Sequence, residues 1–334
     1  MELFDNHKQL FGTATIFFVG LTILVAIVPA IRNQENNRPL PGAKALSPEA
    51  VKGKAIFIAN GCVACHTQQV RNLDMDKGWG SRPSLAADYA AIGRTDIWRN
   101  TATLMGTERT GPDLTDIGTR QPGKDWNLVH LYNPRIVVKE SVMPAYPWLF
   151  TIKKEPSEKE VVVNVPAAYL NGEEGKLVAT KDALYLIAYL QSLKQTKLPD
   201  GAEAPAFLYA RQEKTAPGKE NTEPDGKALY TANCQSCHQA GGEGLPGAFP
   251  PLKGSAIVTG DNLETYVDII MNGYDARAEF GVMAPVGANL GWTEHEVAAI
   301  INYERTSWGN EGKKVTPEEI KKILDLVKLK AGQP

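Results

Sequence analysis

Residues 53–66 read GKAIFIANGCVACH and residues 226–238 read GKALYTANCQSCH, one residue shorter. Aligned from their first glycines, the two stretches form an internal repeat, so one chain carries two copies of one module. Each copy ends in C-x-x-C-H: Cys62, Cys65 and His66 in the first, Cys234, Cys237 and His238 in the second. On a helical turn, positions i, i+3 and i+4 share a face, so two thiols can bond the vinyl groups of a haem while the next imidazole reaches its iron. The spacing therefore predicts two covalently bound haem c groups. A zinc site would require further thiol or imidazole ligands, and a thioredoxin-like redox pair would leave the adjacent histidine unexplained. These two motifs use all four cysteines, so a disulfide scaffold is excluded.

The sixth iron position separates electron carriers from catalysts, because a methionine sulfur raises the potential and blocks substrate, whereas an open position permits chemistry. Met143, in the Pro-stiffened segment SVMPAYPW, is the expected ligand of the first module, and Met283, in FGVMAPVG, that of the second. Met75 and Met105 compete less well, and Met271 sits in the apolar helical run LETYVDIIMNG, where a core role is expected. A haem-ligating histidine usually donates its other ring N–H to a fixed acceptor. GPDL (111–114) and PPL (250–252) align Pro112 with Pro250 and Leu114 with Leu252, offering a carbonyl acceptor and an apolar haem wall to each module. His295 is expected to be solvated in the first turn of an exposed helix, His130 to be a structural residue among aromatics, and His7 to be interfacial.

Composition bounds the function classes. With 36 Lys and Arg against 38 Asp and Glu over 334 residues, the net charge is -2, which disfavours a nucleic-acid partner. Mean hydropathy of -0.26 leaves room for one or two membrane spans and no more. Residues 10–31 hold no ionisable side chain over 22 positions, about 33 Å of helix, enough to cross a bilayer. The start MELFDNHK is acidic and the apolar run is longer than that of a signal peptide, so an uncleaved anchor is expected. Lys8 precedes the run while Arg32, Arg38 and Lys44 follow it, the reverse of the positive-inside pattern. That rule weakens for long translocated domains, and covalent haem attachment argues for an extracytoplasmic location after residue 32.

The expected organisation is an anchor at 1–32, a first haem domain at 45–195, a linker at 196–222, a second haem domain at 223–310 and an amphipathic helix at 311–334. The fold class is mainly α: a transmembrane helix followed by two cytochrome c-like haem domains. Each domain should run from helix to helix. Pro48 opens the first after Ser47, DALYLIAYLQSLK (182–194) closes it, and Thr293 with Glu296 forms a capping box before the closing helix of the second. A second capping box, Thr316 to Glu319, starts the tail helix, whose Ile320, Ile323, Leu324 and Val327 share a face expected to pack on the second domain. The linker is rich in Pro, Lys, Glu and Gly, without sustained periodicity.

The strings GCVACHTQQVR, ERTGPDL, HLYNPR and MPAYPWL, at residues 61–149 behind an N-terminal apolar span, closely resemble the membrane-anchored mono-haem c subunit of cbb3-type cytochrome c oxidases, FixO or CcoO. The resemblance covers roughly residues 1–195. It implies that His66 and Met143 are an axial pair and that Arg71, Arg109, His130, Tyr132, Asn133 and Arg135 lie near the haem or the catalytic subunit. Two features depart from the family pattern: residues 151–180, with the strand-like VVVNV, and the whole second module, which resembles the cytochrome c domains of the di-haem FixP subunit. One chain thus combines parts of two subunits.

The resemblance implies a bacterial inner-membrane protein with its haem domains on the periplasmic side. It would pass electrons from a soluble cytochrome c or other donor to an integral membrane haem-copper subunit that reduces oxygen. Residues 225–310 carry four basic and ten acidic side chains, a net of -6 that would attract a basic donor. Three other readings stay open here: the c-type subunit of a related nitric oxide reductase, a stand-alone membrane-tethered electron shuttle, and a di-haem peroxidase with an open iron position.

Overall fold

The computed structural model describes residues 5–36, 38–90, 106, 108–205, 207, 223–277 and 279–331. Met105 and most of the expected linker, residues 206 and 208–222, lie outside the described residues. The chain divides into two compact units, the first drawn from residues 1–47, 63–115 and 195–210, the second from 48–62, 116–194 and 211–334.

The first unit holds α1 (His7–Asn36), long and apolar enough to cross a membrane and exposed along its apolar length. Asn6 caps it, its side-chain oxygen accepting from the amides of Lys8 and Gln9. The hydroxyls of Thr15 and Thr22 donate back to the carbonyls of Phe11 and Phe18 at 2.8 and 2.7 Å, so neither presents an unpaired polar group to an apolar medium. Within the helix, Thr22–Ile27 forms a π turn, just before Pro29. Proline has no N–H, and its ring crowds the carbonyl four residues back, so a local switch to wider hydrogen bonding accommodates it. Among the described residues, the rest of this unit is mostly loop, with a 3-10 turn at Asp74–Trp79 and a short helix at Ala86–Ala90.

The second unit contains two helix pairs built alike. α2 (Pro48–Ala59) is the helix of the first repeat copy, followed by α3 (Lys124–Tyr132). Three short strands, β1 (Phe150–Lys153), β2 (Val162–Val163) and β3 (Lys176–Ala179), make an antiparallel sheet in the order β1-β3-β2, with Phe150 opposite Ala179 and Val162 opposite Val178. The strand-like VVVNV of the 151–180 segment thus supplies an edge strand. α4 (Lys181–Ser192), capped by Thr180, packs on α2. Gly53 lies so close to α4 that a Cβ there would sit 1.9 Å from the Tyr185 carbonyl oxygen, and one turn on Phe57 meets Tyr189 edge-on at 5.5 Å.

The second repeat copy reproduces this crossing. α5 (Gly226–Asn233) and α6 (Gln235–His238) lead through the second C-x-x-C-H, and α7 (Leu263–Asn272) follows. α8 (Glu294–Thr306) packs on α5, and a Cβ on Gly226 would stand 2.2 Å from the Ala299 carbonyl oxygen, while Tyr230 meets Tyr303 at 5.4 Å. Gly53 and Gly226, Phe57 and Tyr230 occupy matching places in the repeat, as do Tyr189 and Tyr303 on the closing helices. The repeated glycine therefore has a physical reason: only a residue without Cβ lets the two helix backbones approach so closely. The capping box at Thr293 and Glu296 is formed.

α9 (Pro317–Ala331) carries the second capping interaction, Thr316 N–H to Glu319 and Glu319 N–H to the Thr316 hydroxyl. Its Ile320, Leu324 and Val327 are buried in one core with Val297, Ile300 and Ile301 of α8 and Tyr266 and Val267 of α7. At about 1.5–3 kcal/mol for each fully buried aliphatic side chain, this packing outweighs what so short a helix could gain by itself in water.

Candidate haem-binding sites

In the first unit, His66 packs against the segment 108–115. Gly111 N–H donates to the Cys65 carbonyl at 3.0 Å and Leu114 N–H to the Thr67 carbonyl at 2.8 Å, joining the two segments. Gly111 lies flush against the imidazole, since a Cβ there would fall 2.3 Å from His66 Cε1. His66 Nδ1 is 2.8 Å from the Pro112 carbonyl oxygen. Burial pushes the imidazole's pKa down, opposed by the Pro112 hydrogen bond and the nearby Asp113 carboxylate. A neutral ring donating from Nδ1 keeps its lone pair on Nε2, the form an iron requires. Asp113 fixes the surrounding loop: its carboxylate accepts from the Thr67 hydroxyl at 2.6 Å and from the amides of Gln69 and Thr115 at 2.7 and 2.8 Å. Leu114 is buried beside it.

The same unit contains a clamp that the sequence did not advertise. Asp76 is fully buried and accepts from Arg109 Nη1 and from Arg71, whose Nε stands 3.2 Å away. Burial pushes the Asp76 carboxyl up, but the hydrogen bonds from Arg109 and Arg71 outweigh it and hold its pKa below the ordinary range. Arg109 also donates to the Gln69 carbonyl at 2.6 Å and lies over the Trp79 ring at 4.9 Å. Arg109 and Arg71 are thus tied to the loop that follows His66.

In the second unit most of the expected site residues line one cavity. A cleft of about 920 Å³, counted out to its open mouth, is lined by Cys234, His238, Pro250, Leu252, Met283 and Glu304, among others. His238 Nδ1 is 2.9 Å from the Pro250 carbonyl oxygen, matching His66 and Pro112. Burial lowers the His238 pKa, again favouring the neutral ring. Met283 is pinned by a two-way backbone bridge with Tyr274, at 2.9 and 3.1 Å. Gly273, at φ 79°, makes room for it, because a Cβ there would be 2.5 Å from the Met283 carbonyl oxygen. Met271 is buried in the helix core, where its helical run placed it.

The thiols of the second site fit covalent attachment better than metal or redox chemistry. No disulfide joins any of the four cysteines. Burial pushes the Cys234 thiol well up and the Cys237 thiol to about 11, the latter against hydrogen bonds from Gln121 and Ser236. Zinc-binding and redox-active cysteines need the opposite, a stabilised thiolate. Among the described residues, no group of three or more His, Cys, Asp or Glu could hold a metal ion. With Cys234, a buried imidazole held by a carbonyl and Met283 all lining one apolar cleft, the second site fits a haem c. Around His66, the close-fitting Gly111 and the carbonyl of Pro112 prepare the same histidine geometry.

Residues 1–171 match the family model described as cytochrome c oxidase, mono-haem subunit/FixO. The chain belongs to the FixO family. Residues 224–308 match the cytochrome c family model, so this FixO chain carries an additional cytochrome c domain and is a haem c electron-transfer subunit. Similar proteins include cytochrome c-552 of Thermus thermophilus, 34% identical over 30% of this chain and 83% of that protein. The cytochrome c subunit of the quinone alcohol dehydrogenase of Gluconacetobacter polyoxogenes is 29% identical over 44% of this chain and 32% of its own length. The fructose dehydrogenase cytochrome subunit of Gluconobacter japonicus is 29% identical over 30% of this chain and 22% of its own.

His238 and Met283 line one cavity; His66 belongs to the first compact unit and Met143 to the second. Met143 lies half-buried in a non-helical stretch, its amide 3.3 Å from the Ser141 hydroxyl. Met75 is exposed. His295 and His7 are exposed, and His130 is half-buried and stacked on Trp126 at 4.5 Å. Within the second unit, Gln121 Nε2 reaches Cys237 Sγ at 3.7 Å and Asn289 donates to the Thr119 carbonyl at 2.9 Å, so residues 119–121 abut the second repeat copy. Sequence reasoning missed Asp76, Gln121 and Glu304; none belongs to a motif, and each acquires its role only through burial or contact.

Proposed function

We propose that this FixO chain is the di-haem c electron-transfer subunit of a cbb3-type membrane haem-copper oxidase. Electrons from a soluble donor would enter at the second haem domain, pass to the first, and leave to an integral membrane subunit that reduces oxygen to water. Cys62 and Cys65 would hold one haem through thioether bonds, with His66 and Met143 as iron ligands. Cys234 and Cys237 would hold the other, with His238 and Met283. Haem c bound at each site supplies reversible one-electron transfer.

The chain's own residues set the conditions for that transfer. The carbonyls of Pro112 and Pro250 orient the two imidazoles and keep Nε2 free, and Leu114 and Leu252 keep water from the haem faces. Met143 and Met283 would supply thioether sulfurs to the haem irons. Helix α1 anchors the chain in the bacterial inner membrane with residues 45–195 and 223–310, the two haem domains, on the periplasmic side. The net charge of -6 over residues 225–310 favours a basic donor and speeds its encounter. Contact of residues 119–121 with the second repeat copy, at Cys237 and Asn289, supports direct transfer between the domains.

The observation that carries this reading is the FixO match over residues 1–171 combined with a matching His–Pro carbonyl geometry at both C-x-x-C-H motifs. Purification of the native complex in mild detergent, identification of the co-purifying subunits, and assay of oxygen against nitric oxide consumption test it. A haem-copper subunit and oxygen consumption are expected. Nitric oxide consumption would move the chain to a related reductase, and purification of this chain alone would make it a tethered shuttle.

A further inference from the structure

Glu304 occupies a place unusual for a carboxyl group. It sits on α8 in the sequence INYERTSW, 4% exposed, and lines the cavity that also contains Cys234, His238 and Met283. Its one side-chain partner among the described hydrogen bonds is the Tyr266 hydroxyl of α7, itself buried, which donates to Oε2. The adjacent Arg305 would be the natural counter-ion, but its guanidinium is spent on the carbonyls of Val258, Gly260 and Lys313. A buried carboxylate without a cation is costly, so its proton affinity must respond to charge that appears or disappears in the same cavity.

We propose that Glu304 is a proton-binding site coupled to the redox state of the second haem. Glu304 takes up one proton from solvent when that site accepts one electron from a one-electron reductant, and returns the proton when the electron leaves. The oxidised site carries one more positive charge than the reduced site, which stabilises the Glu304 carboxylate; reduction removes that charge and favours the carboxylic acid. This rests on the reading that the second C-x-x-C-H binds haem.

The surroundings support titration near neutrality. Burial pushes the Glu304 pKa up to about 7, against the hydrogen bond from Tyr266. From α5 and the residue that ends it the ionisable groups nearby are Tyr230 and Cys234, and a thioether-linked Cys234 carries no charge. From α7 the group is Tyr266, whose pKa is pushed well up by burial and by Glu304 itself. The helix Ala256–Thr259 has no ionisable side chain. α9 packs through Ile320, Leu324 and Val327, with its Glu318, Glu319, Lys321 and Lys322 exposed. Arg277, on the cavity wall, pairs with Glu279 at 2.6 Å, and Glu243 acts on Tyr230.

The test is a potentiometric titration of the full chain in detergent between about pH 5.5 and about pH 8.5, the interval that brackets a carboxyl shifted to neutrality. The wave of the second haem is the one lost in the Cys234→Ala/Cys237→Ala variant. Its reduction constant should fall at least threefold as pH rises, about 30 mV at 59 mV per tenfold. Glu304→Gln should flatten that dependence near the low-pH limit of the parent. Tyr266→Phe, which removes the bond that favours the carboxylate, should move the dependence to higher pH. Redox-difference infrared spectra should show a protonated carboxyl signal that vanishes in Glu304→Gln. A pH-independent wave, or an unchanged slope in Glu304→Gln, overturns the proposal. Absence of covalent haem at Cys234 and Cys237 overturns instead the haem reading on which it rests.

Discussion

Gly226→Ala offers a direct test of how the repeat specifies its fold. An added Cβ would lie 2.2 Å from the Ala299 carbonyl oxygen and 2.9 Å from Tyr303 Cβ. Because one obstacle is helix backbone, relief requires α5 and α8 to separate by about 1 Å to regain ordinary contact distances. Overpacking of that kind costs about 1–3 kcal/mol, and Ala recovers up to about 1 kcal/mol of helix propensity. Separation would also loosen Tyr230 from Tyr303 and from Trp308, now at 5.4 and 4.9 Å, an aromatic cluster worth about 0.5–1.5 kcal/mol per pair. The net expectation is a loss of about 1–3 kcal/mol. Guanidinium titration of the full chain, followed at the second site by its haem absorbance, reads that loss as a lower midpoint. Thr231→Ala, exposed on the same helix, serves as control and should leave stability unchanged or slightly raised. If Gly226→Ala were as stable as the parent, the close-approach explanation of the repeated glycine would be wrong.

Gly111→Ala should displace the His66 imidazole, since the new Cβ would overlap Cε1; loss of the low-spin signature at the first haem, with the second unchanged, is the expected spectrum. Arg109→Leu should cost about 1.5–3 kcal/mol, because Asp76 stays buried with Arg71 as its remaining cation, and the loss should appear in thermal unfolding at neutral pH and shrink as pH falls through the range where Asp76 protonates. Glu304 has the opposite sign. Its folded pKa of about 7 lies above the 4.5 of the free side chain, so its stabilising contribution is complete below about pH 4.5 and is lost as pH rises to about 7. Glu304→Gln should therefore stabilise the second domain at about pH 8, on the order of 3 kcal/mol at most, while leaving it little changed at about pH 4.5; a destabilised variant at about pH 8 would contradict this.

Much of the fold was readable because its signals are local. The apolar run at 10–31, the capping pairs Thr293–Glu296 and Thr316–Glu319, and the apolar face Ile320, Leu324 and Val327 each follow from a few neighbouring residues, and each takes the expected form. The bare VVVNV string showed a strand but not its partner, since β3 pairs with it from about fifteen residues away. Gly53 and Gly226 stood out in the repeat, yet their role depends on the carbonyls of distant helices. Pro112 and Pro250 could be matched by alignment, and their carbonyls face the two imidazoles. Glu304 and Asp76 gave no signal: a charged residue in an amphipathic helix or a turn reads as solvated, and only the three-dimensional packing removes it from water.

Covalent haem at both motifs is read out by intact-mass measurement of natively produced chain, with the Cys62→Ala/Cys65→Ala and Cys234→Ala/Cys237→Ala variants alongside. The parent should carry two covalently bound haems and each variant one. A parent chain with a single haem, or with zinc in place of either, would contradict the claim that both C-x-x-C-H motifs serve electron transfer.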